Sequence, residues 1–243
     1  MLIAAKTDTG MTRKANEDSF FVSSGEVTYI AVADGMGGLK AGKLASSTAI
    51  SEVDKVLSKV KTKHKDIPAL LTTALTKAND KVYSLTQKEP DGEGMGTTFV
   101  MAYIDGNKAY FANIGDSRAY LISGDEISQI TIDHSVVQQL YERGEIKRSE
   151  MRTHPRKNLI TRAIGTNDSV ECDVFEKELS KGDLILLCSD GLNNMVEDEQ
   201  ILDIYNKYTD LDEFADALVK TANDAGGYDN ITVVALKFQG SEV

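Results

Sequence analysis

The sequence predicts an α+β fold, and three observations carry that reading. Residues 96–131 read as consecutive short apolar strands parted by turn dipeptides, two amphipathic helices stand side by side upstream, and a late amphipathic helix precedes a final apolar strand. Taken in order, residues 2–6, 19–22 and 27–33 are β-rich, the last a nearly continuous apolar run ending at Asp34-Gly35. Val53, Val56, Leu57 and Val60 share one helical face, and Leu71, Ala74, Leu75 and Ala78 repeat that spacing, so two helices are expected to lie together on a sheet.

The runs TTFVMAYI, KAYFANI, RAYLI and ISQIT follow, with turns at Asp105-Gly106 and Gly124-Asp125, and are expected to form one antiparallel meander. A doubly wound parallel sheet is thereby excluded. After a polar middle segment, residues 184–188 form a buried strand. Leu211, Phe214, Ala215, Leu218, Val219 and Ala222 mark the late helix, and residues 231–236 the last strand.

With 243 residues, 41% hydrophobic content and 3 prolines, the chain is expected to form a single domain over 1–243. Its first residues show no basic stretch followed by an apolar run, and the apolar runs are far too short to span a bilayer, so a soluble, cytoplasmic protein is expected. A formal charge of -11 repels phosphodiester backbones and anionic membranes, so neither nucleic acid nor membrane is an expected partner. Cys172 and Cys188 match no disulfide or zinc pattern and read as structural.

Aspartates interrupt the apolar strands at Asp34, Asp116, Asp190 and Asp229. Each alone is ordinary turn chemistry. Four such residues at the ends of strands sharing a core can converge on one edge, and carboxylates gathered together need a compensating cation. Without a nearby histidine or cysteine cluster the donors are hard oxygens, which suit Mg²⁺ or Mn²⁺, and the surplus of carboxylates points to more than one ion. Two ions about 3.5–4 Å apart acidify a bridging water and neutralise a phosphoryl group, which is hydrolytic chemistry. Arg13, just upstream of Asn16-Glu17-Asp18, is the candidate phosphate-binding cation, with an ordinary surface arginine as the alternative.

The order Arg13-x-x-Asn16-Glu17-Asp18, Asp34-Gly35-Met36-Gly37-Gly38, Gly96-Thr97-Thr98, Gly115-Asp116-Ser117-Arg118, Ser189-Asp190-Gly191 and Asp229-Asn230-Ile231-Thr232-Val233 resembles the protein phosphatase 2C family, in its bacterial form. The resemblance covers essentially the whole chain. It implies an αββα sandwich, two antiparallel sheets flanked by helix pairs, that hydrolyses phosphoserine and phosphothreonine in proteins by attack of a metal-bridging hydroxide, reversing a Ser/Thr protein kinase. By the same resemblance Asp34 bridges two Mn²⁺ or Mg²⁺ ions, Asp190 and Asp229 complete the first, and the Gly35 carbonyl serves the second with Glu17 acting through water. Asp18 orients the nucleophilic water, Asp116 with Asp190 matches the site of a possible third ion, and Arg13 matches the phosphate-holding arginine. Met36 stands where eukaryotic relatives carry a histidine proposed as general acid, and a thioether has no proton to donate. His134 reads as structural, and no acid is assigned.

Arg143, Lys147, Arg148, Arg152, Arg156, Lys157 and Arg162 oppose only Glu145 and Glu150 in an otherwise acidic chain. They fall where the family carries a mobile flap, about 133–165, so they are expected either to steer phosphoproteins toward the metals or to be plain solvated surface. Rival mechanisms fit the residues less well. Gly37 through Lys43 spells a phosphate-loop pattern, but Leu44 stands where a metal-binding hydroxyl belongs and Asp34 is an unwelcome anion. A cysteine phosphatase lacks its arginine, since Glu178 and Asn194 lie six residues after the two cysteines, and His64, His134 and His154 form no ligand-spaced motif. A non-enzymatic relative that only binds phosphoproteins should have lost ligands, yet Asp34, Asp190 and Asp229 are present.

Overall fold

A computed structural model describes residues 1–25, 27–38, 40–60, 65–88 and 94–240. Leu39 of the phosphate-loop pattern and His64 lie outside them. The strands are β1 (Leu2–Asp8), β2 (Ser19–Ser24), β3 (Thr28–Ala33), β4 (Gly35–Met36), β5 (Gly96–Thr97), β6 (Phe99–Asp105), β7 (Lys108–Ile114), β8 (Arg118–Ser123), β9 (Glu126–Gln129), β10 (Asp173–Glu178), β11 (Leu184–Cys188) and β12 (Ile231–Lys237). The α-helices are α1 (Ala41–Leu57), α2 (Ile67–Thr86), α3 (Val136–Glu142), α4 (Asp190–Asn193), α5 (Asp198–Lys207) and α6 (Leu211–Asp224).

Two five-stranded antiparallel sheets result, ordered β1-β12-β11-β8-β9 and β10-β7-β6-β3-β2. The interior strands β3, β6 and β11 are almost wholly apolar because they are buried on both faces. In β3, Tyr29, Ala31 and Ala33 pack with Val53, Leu71 and Leu75 of α1 and α2, while Ile30 and Val32 turn toward Leu187, Val234 and Leu236 of the other sheet. In β11 and β12, Leu186, Val233 and Ala235 pack against Phe214 and Leu218 of α6. The αββα sandwich is therefore three apolar layers, one between the sheets and one under each set of helices.

The single meander expected over residues 96–131 is not what forms. β6 and β7 pair in one sheet, β8 and β9 pair in the other, and no ladder joins β7 to β8. The chain changes sheets at Gly115, whose φ is +107° and where a Cβ would meet Thr98 Cγ2 at 2.6 Å. Only glycine fits that backbone and that gap. Alternation in the sequence reads the strands correctly but carries no information about which sheet each one joins.

β10 and α5 were not foreseen. β10 is an edge strand with three of its six residues exposed and so carries a weak apolar alternation, whereas α5 is a ten-residue helix in which only Ile201 and Ile204 are buried, too few positions to mark a face. Val60, expected on the first helix, lies beyond its Ser58 cap.

Substituting Gly115→Ala forces an unfavourable φ and a clash at the crossover, and is expected to cost about 1–3 kcal/mol. A lowered urea midpoint at unchanged slope is the expected result; an unchanged midpoint would show that the crossover tolerates a side chain.

Candidate active site

The carboxylate-bearing strand ends meet at one edge of the sandwich because backbone contacts bind them together. Asn230 acts as the clamp: its Oδ1 accepts from the Glu17 N–H at 2.8 Å, and its Nδ2 donates to the Thr9 and Ala15 carbonyls, each at 2.9 Å. A Cβ on Gly191 would lie 2.0 Å from the Asn230 carbonyl oxygen, so this glycine lets the Asp190 and Asp229 loops touch. Similarly, a Cβ on Gly35 would meet the Gly42 carbonyl at 2.2 Å, and one on Gly42 would meet Glu17 Oε2 at 2.4 Å. Thr98 ties the remaining two aspartate loops: its Oγ1 accepts from the Asp34 N–H at 3.0 Å and lies 2.7 Å from Ser117 Oγ.

A cavity of about 230 Å³ opens at this edge, and Arg13, Glu17, Asp34, Gly35, Asp116, Asp190 and Asp229 all line it. Of the eight positions singled out in the sequence, only Asp18 is absent from its wall. Asp18 is 1% exposed beneath it, where Oδ2 accepts from Ser189 Oγ at 2.8 Å and Thr232 Oγ1 at 2.6 Å. Its Oδ1 has no hydrogen-bond partner, and neither has Oδ1 of Asp190. Arg13 Nη2 donates to Asp229 Oδ2 at 2.7 Å, so its guanidinium already sits among the carboxylates.

Burial and mutual repulsion hold these acids toward their neutral forms. Desolvation raises Asp18 to about 7 against the hydroxyl bonds from Thr232 and Ser189, with Asp190 and Asp229 adding repulsion. Asp190 rises to about 6 for the same first reason and then because of Asp229, partly relieved by a hydrogen bond shared with Asp34, by Arg13 and by Lys157. Burial also raises Asp34 and Asp116 well above the carboxylate range, and Glu17 to a lesser extent. Among the described residues no three acidic, histidine or cysteine side chains already stand at metal-ligating separation. The fit to divalent cations rests instead on oxygen-only donors, crowded charge and two orphaned carboxylate oxygens around one cavity.

Several residues that hold the site were not given roles from sequence. Ser189 and Thr232 fix Asp18, Asn194 Nδ2 donates to Asp190 Oδ2 at 3.0 Å, and Asn158 and Ile160 bring segment 133–165 to the cavity wall. The motif quoted around each of Ser189, Thr232 and Asn230 was the available signal; Asn158 and Ile160 offered none.

Segment 133–165 returns on itself, with Ser135 bridged to Ile160 and the Val136 N–H donating to the Leu159 carbonyl at 2.8 Å. Within its basic run, Arg152 is engaged. It donates to the Asn193 and Val196 carbonyls at 2.6 and 3.2 Å and pairs with Glu197, which ties the segment to α4 and α5. Arg162 is likewise paired with Asp173 at 2.9 Å. His134 accepts from the Gly115 N–H at 3.1 Å and faces Asp173 and Arg162, a structural post as expected. Lys43 of the phosphate-loop pattern donates to the Asp18 carbonyl and to Ser19 Oγ, which removes it from nucleotide binding.

A larger cavity, about 590 Å³, lies elsewhere, lined in part by segment 133–165, and its charges Arg118, Arg152 and Glu197 are already paired. The chemistry belongs to the smaller one. A still smaller space of about 30 Å³ beside it is shared by Asp116, Asp190 and Lys157.

A double-sheet sandwich with carboxylates gathered at its strand ends is the arrangement of a phosphatase family. Residues 6–231 match the protein phosphatase 2C family, and the chain belongs to that family as a serine/threonine phosphatase of the bacterial type. It is 41% identical over 241 residues to protein phosphatase PhpP of Streptococcus pneumoniae, covering 96% of each chain. The crystal structure of the Mycobacterium tuberculosis serine/threonine phosphatase PstP/Ppp superposes with a TM-score of 0.90 at 37% identity, covering 98% of each chain. The catalytic domain of PstP in complex with two manganese ions gives a TM-score of 0.86 at 37% identity over 96% of each chain.

The raised carboxyls predict how pH and metal act together. A folded-state pKa above the unfolded value means that the metal-free protein binds extra protons between about pH 4 and 7, so the stability they lend is lost as pH rises through that window. With chelator present, Tm is expected to fall between pH 5.5 and 7.5, and Mn²⁺ to raise it more at 7.5. An equal Mn²⁺ effect at both values would separate these acids from metal binding.

Proposed function

We infer that the chain hydrolyses phosphoserine and phosphothreonine in cytoplasmic proteins with two Mn²⁺ or Mg²⁺ ions, reversing the action of a Ser/Thr protein kinase. The observation that carries this reading is the gathering of Asp34, Asp116, Asp190 and Asp229 around one cavity together with Arg13. Asp34, Asp190, Asp229 and the Gly35 carbonyl would hold the two ions, Glu17 would act through water, and Asp116 with Asp190 would offer a third place. When bound, the ions supply a water of lowered pKa and neutralise phosphoryl charge.

The protein's own groups do the rest. Asp18, gripped by Ser189 and Thr232 through one oxygen, has the other without a protein partner, and that oxygen would orient water. Arg13 presents a guanidinium to the phosphoryl oxygens from its place on Asp229. Met36 lines the cavity and has no proton to give. Among the described residues no helix is long and apolar enough to cross a membrane. In segment 133–165, read as the flap, Arg156 and Lys157 would steer substrate, whereas Arg152 is engaged with Asn193, Val196 and Glu197.

Phosphate release from a phosphothreonine peptide with Mn²⁺ tests the reading. Asp190→Asn is expected to lower it at least about 100-fold, the scale of losing a charge-stabilising group at a reacting centre; folded, metal-loaded protein without turnover would leave a phosphoprotein-binding domain. Neutralising Arg156 and Lys157 together is expected to raise KM for that peptide several-fold and leave an aryl phosphate unaffected. Equal effects on both substrates would remove the steering role.

A further inference from the structure

Among the described residues, the three large apolar side chains most open to solvent are Met11 at 72%, Tyr228 at 65% and Leu159 at 52%. Scattered exposed apolar residues need no explanation. These three are set apart by where they stand. Met11 is two residues before Arg13, Tyr228 immediately precedes Asp229, and Leu159 lies between Asn158 and Ile160, and all four of those neighbours line the carboxylate cavity.

They are also held on fixed backbone. The Met11 N–H and the Thr12 hydroxyl both donate to the Gly227 carbonyl, at 2.8 and 3.3 Å, so the Met11 and Tyr228 loops are joined. Glycines at 226 and 227 let both side chains lie close over the loop: a Cβ at Gly227 would meet Met11 Cγ at 2.8 Å, and one at Gly226 would meet the Tyr228 ring at 2.8 Å. Leu159 is anchored through its carbonyl to Val136 and through its N–H to the Arg156 carbonyl at 3.2 Å.

A phosphorylated side chain that reaches the carboxylates leaves its backbone at the mouth of the cavity, beside the lining segments from which Met11, Tyr228 and Leu159 stand exposed. We propose that these three side chains form a specificity rim that selects extended phosphoprotein segments carrying bulky apolar residues beside the phosphorylated one. The rim rests on the hydrolytic reading for its orientation of substrate, because the phosphoryl group is what places the flanks. Its chemical logic is apolar burial: anchors that lie exposed in the free protein are covered when the matching substrate binds, whereas alanine flanks leave them wet.

The test uses non-hydrolysable phosphonate peptides with leucine or alanine flanks, titrated by fluorescence anisotropy onto the full chain with Mn²⁺, alongside turnover of an aryl phosphate. Leucine flanks are expected to tighten Kd about 10-fold, the scale of partly burying two or three apolar side chains. The Met11→Ala/Tyr228→Ala/Leu159→Ala variant should reduce the difference to within about 2-fold, with Tyr228→Phe keeping it and aryl-phosphate turnover unchanged. Equal binding of both peptides by the unaltered protein, or discrimination that survives the triple substitution, overturns the rim. Should the triple variant lose aryl-phosphate turnover through misfolding, Met11→Ala alone must show a reduced preference for the proposal to stand. Peptide discrimination without any aryl-phosphate turnover supports the rim and instead removes the hydrolytic reading.

Discussion

Like charges crowded at one edge of two packed sheets are the constraint on which the rest of the molecule depends. Asp34, Asp116, Asp190 and Asp229 end or adjoin core strands, and each carries the neighbours' repulsion on top of its own burial or contributes to it. Such an arrangement lowers stability unless something opposes it. Neutral hydrogen-bonding groups supply the opposition that the chain itself can offer. Asn230 locks its own loop to the one spanning residues 9–18, Thr98 joins the Asp34 and Asp116 loops, and Ser189 with Thr232 grips Asp18. None of these groups adds charge, so they fix the acids in place without cancelling the repulsion that makes the cavity attractive to cations.

The sandwich is what makes so unfavourable an edge tolerable. Three apolar layers, built from strands buried on both faces, keep the strand ends from separating. The glycines at 35, 42 and 191 then allow main chains to approach more closely than any side chain would permit. Stability is thus generated away from the site and spent at it, the usual relation between a rigid scaffold and a strained functional edge.

What the sequence made legible follows from the same division. The interior strands and the α1, α2 and α6 faces were readable because burial writes an apolar period, and seven of the eight singled-out site residues do converge on one cavity, Asp34, Asp190 and Asp229 among them because each sits at the end of such a strand. Sheet membership was not readable: β7 and β8 look like neighbours in a meander, and only the backbone at Gly115 sends them to different layers. Edge strand β10 escaped notice because a half-exposed strand carries a weak period, and helix α5 because it is short and buries only Ile201 and Ile204. Charge was readable as composition but not as pairing, so Arg152 looked like Arg156 and Lys157 until its carbonyl partners at 193 and 196 were in view.

That last distinction bears on how segment 133–165 works. A segment that presents residues accurately to a cavity cannot be free, yet it need not be held at every residue. Here the burden is divided. Arg118 and Asp133 pair at 2.7 Å where the segment begins, Ser135 and Ile160 bridge its two ends, and Arg152 fastens its middle to α4 and α5. The stretch from Arg156 to Ile160 is left between those fastenings, and it carries Asn158 and Ile160 to the cavity wall with Leu159 open to solvent. The tethered arginine and the exposed leucine are therefore two sides of one device, because fixing the first sets where the second meets substrate.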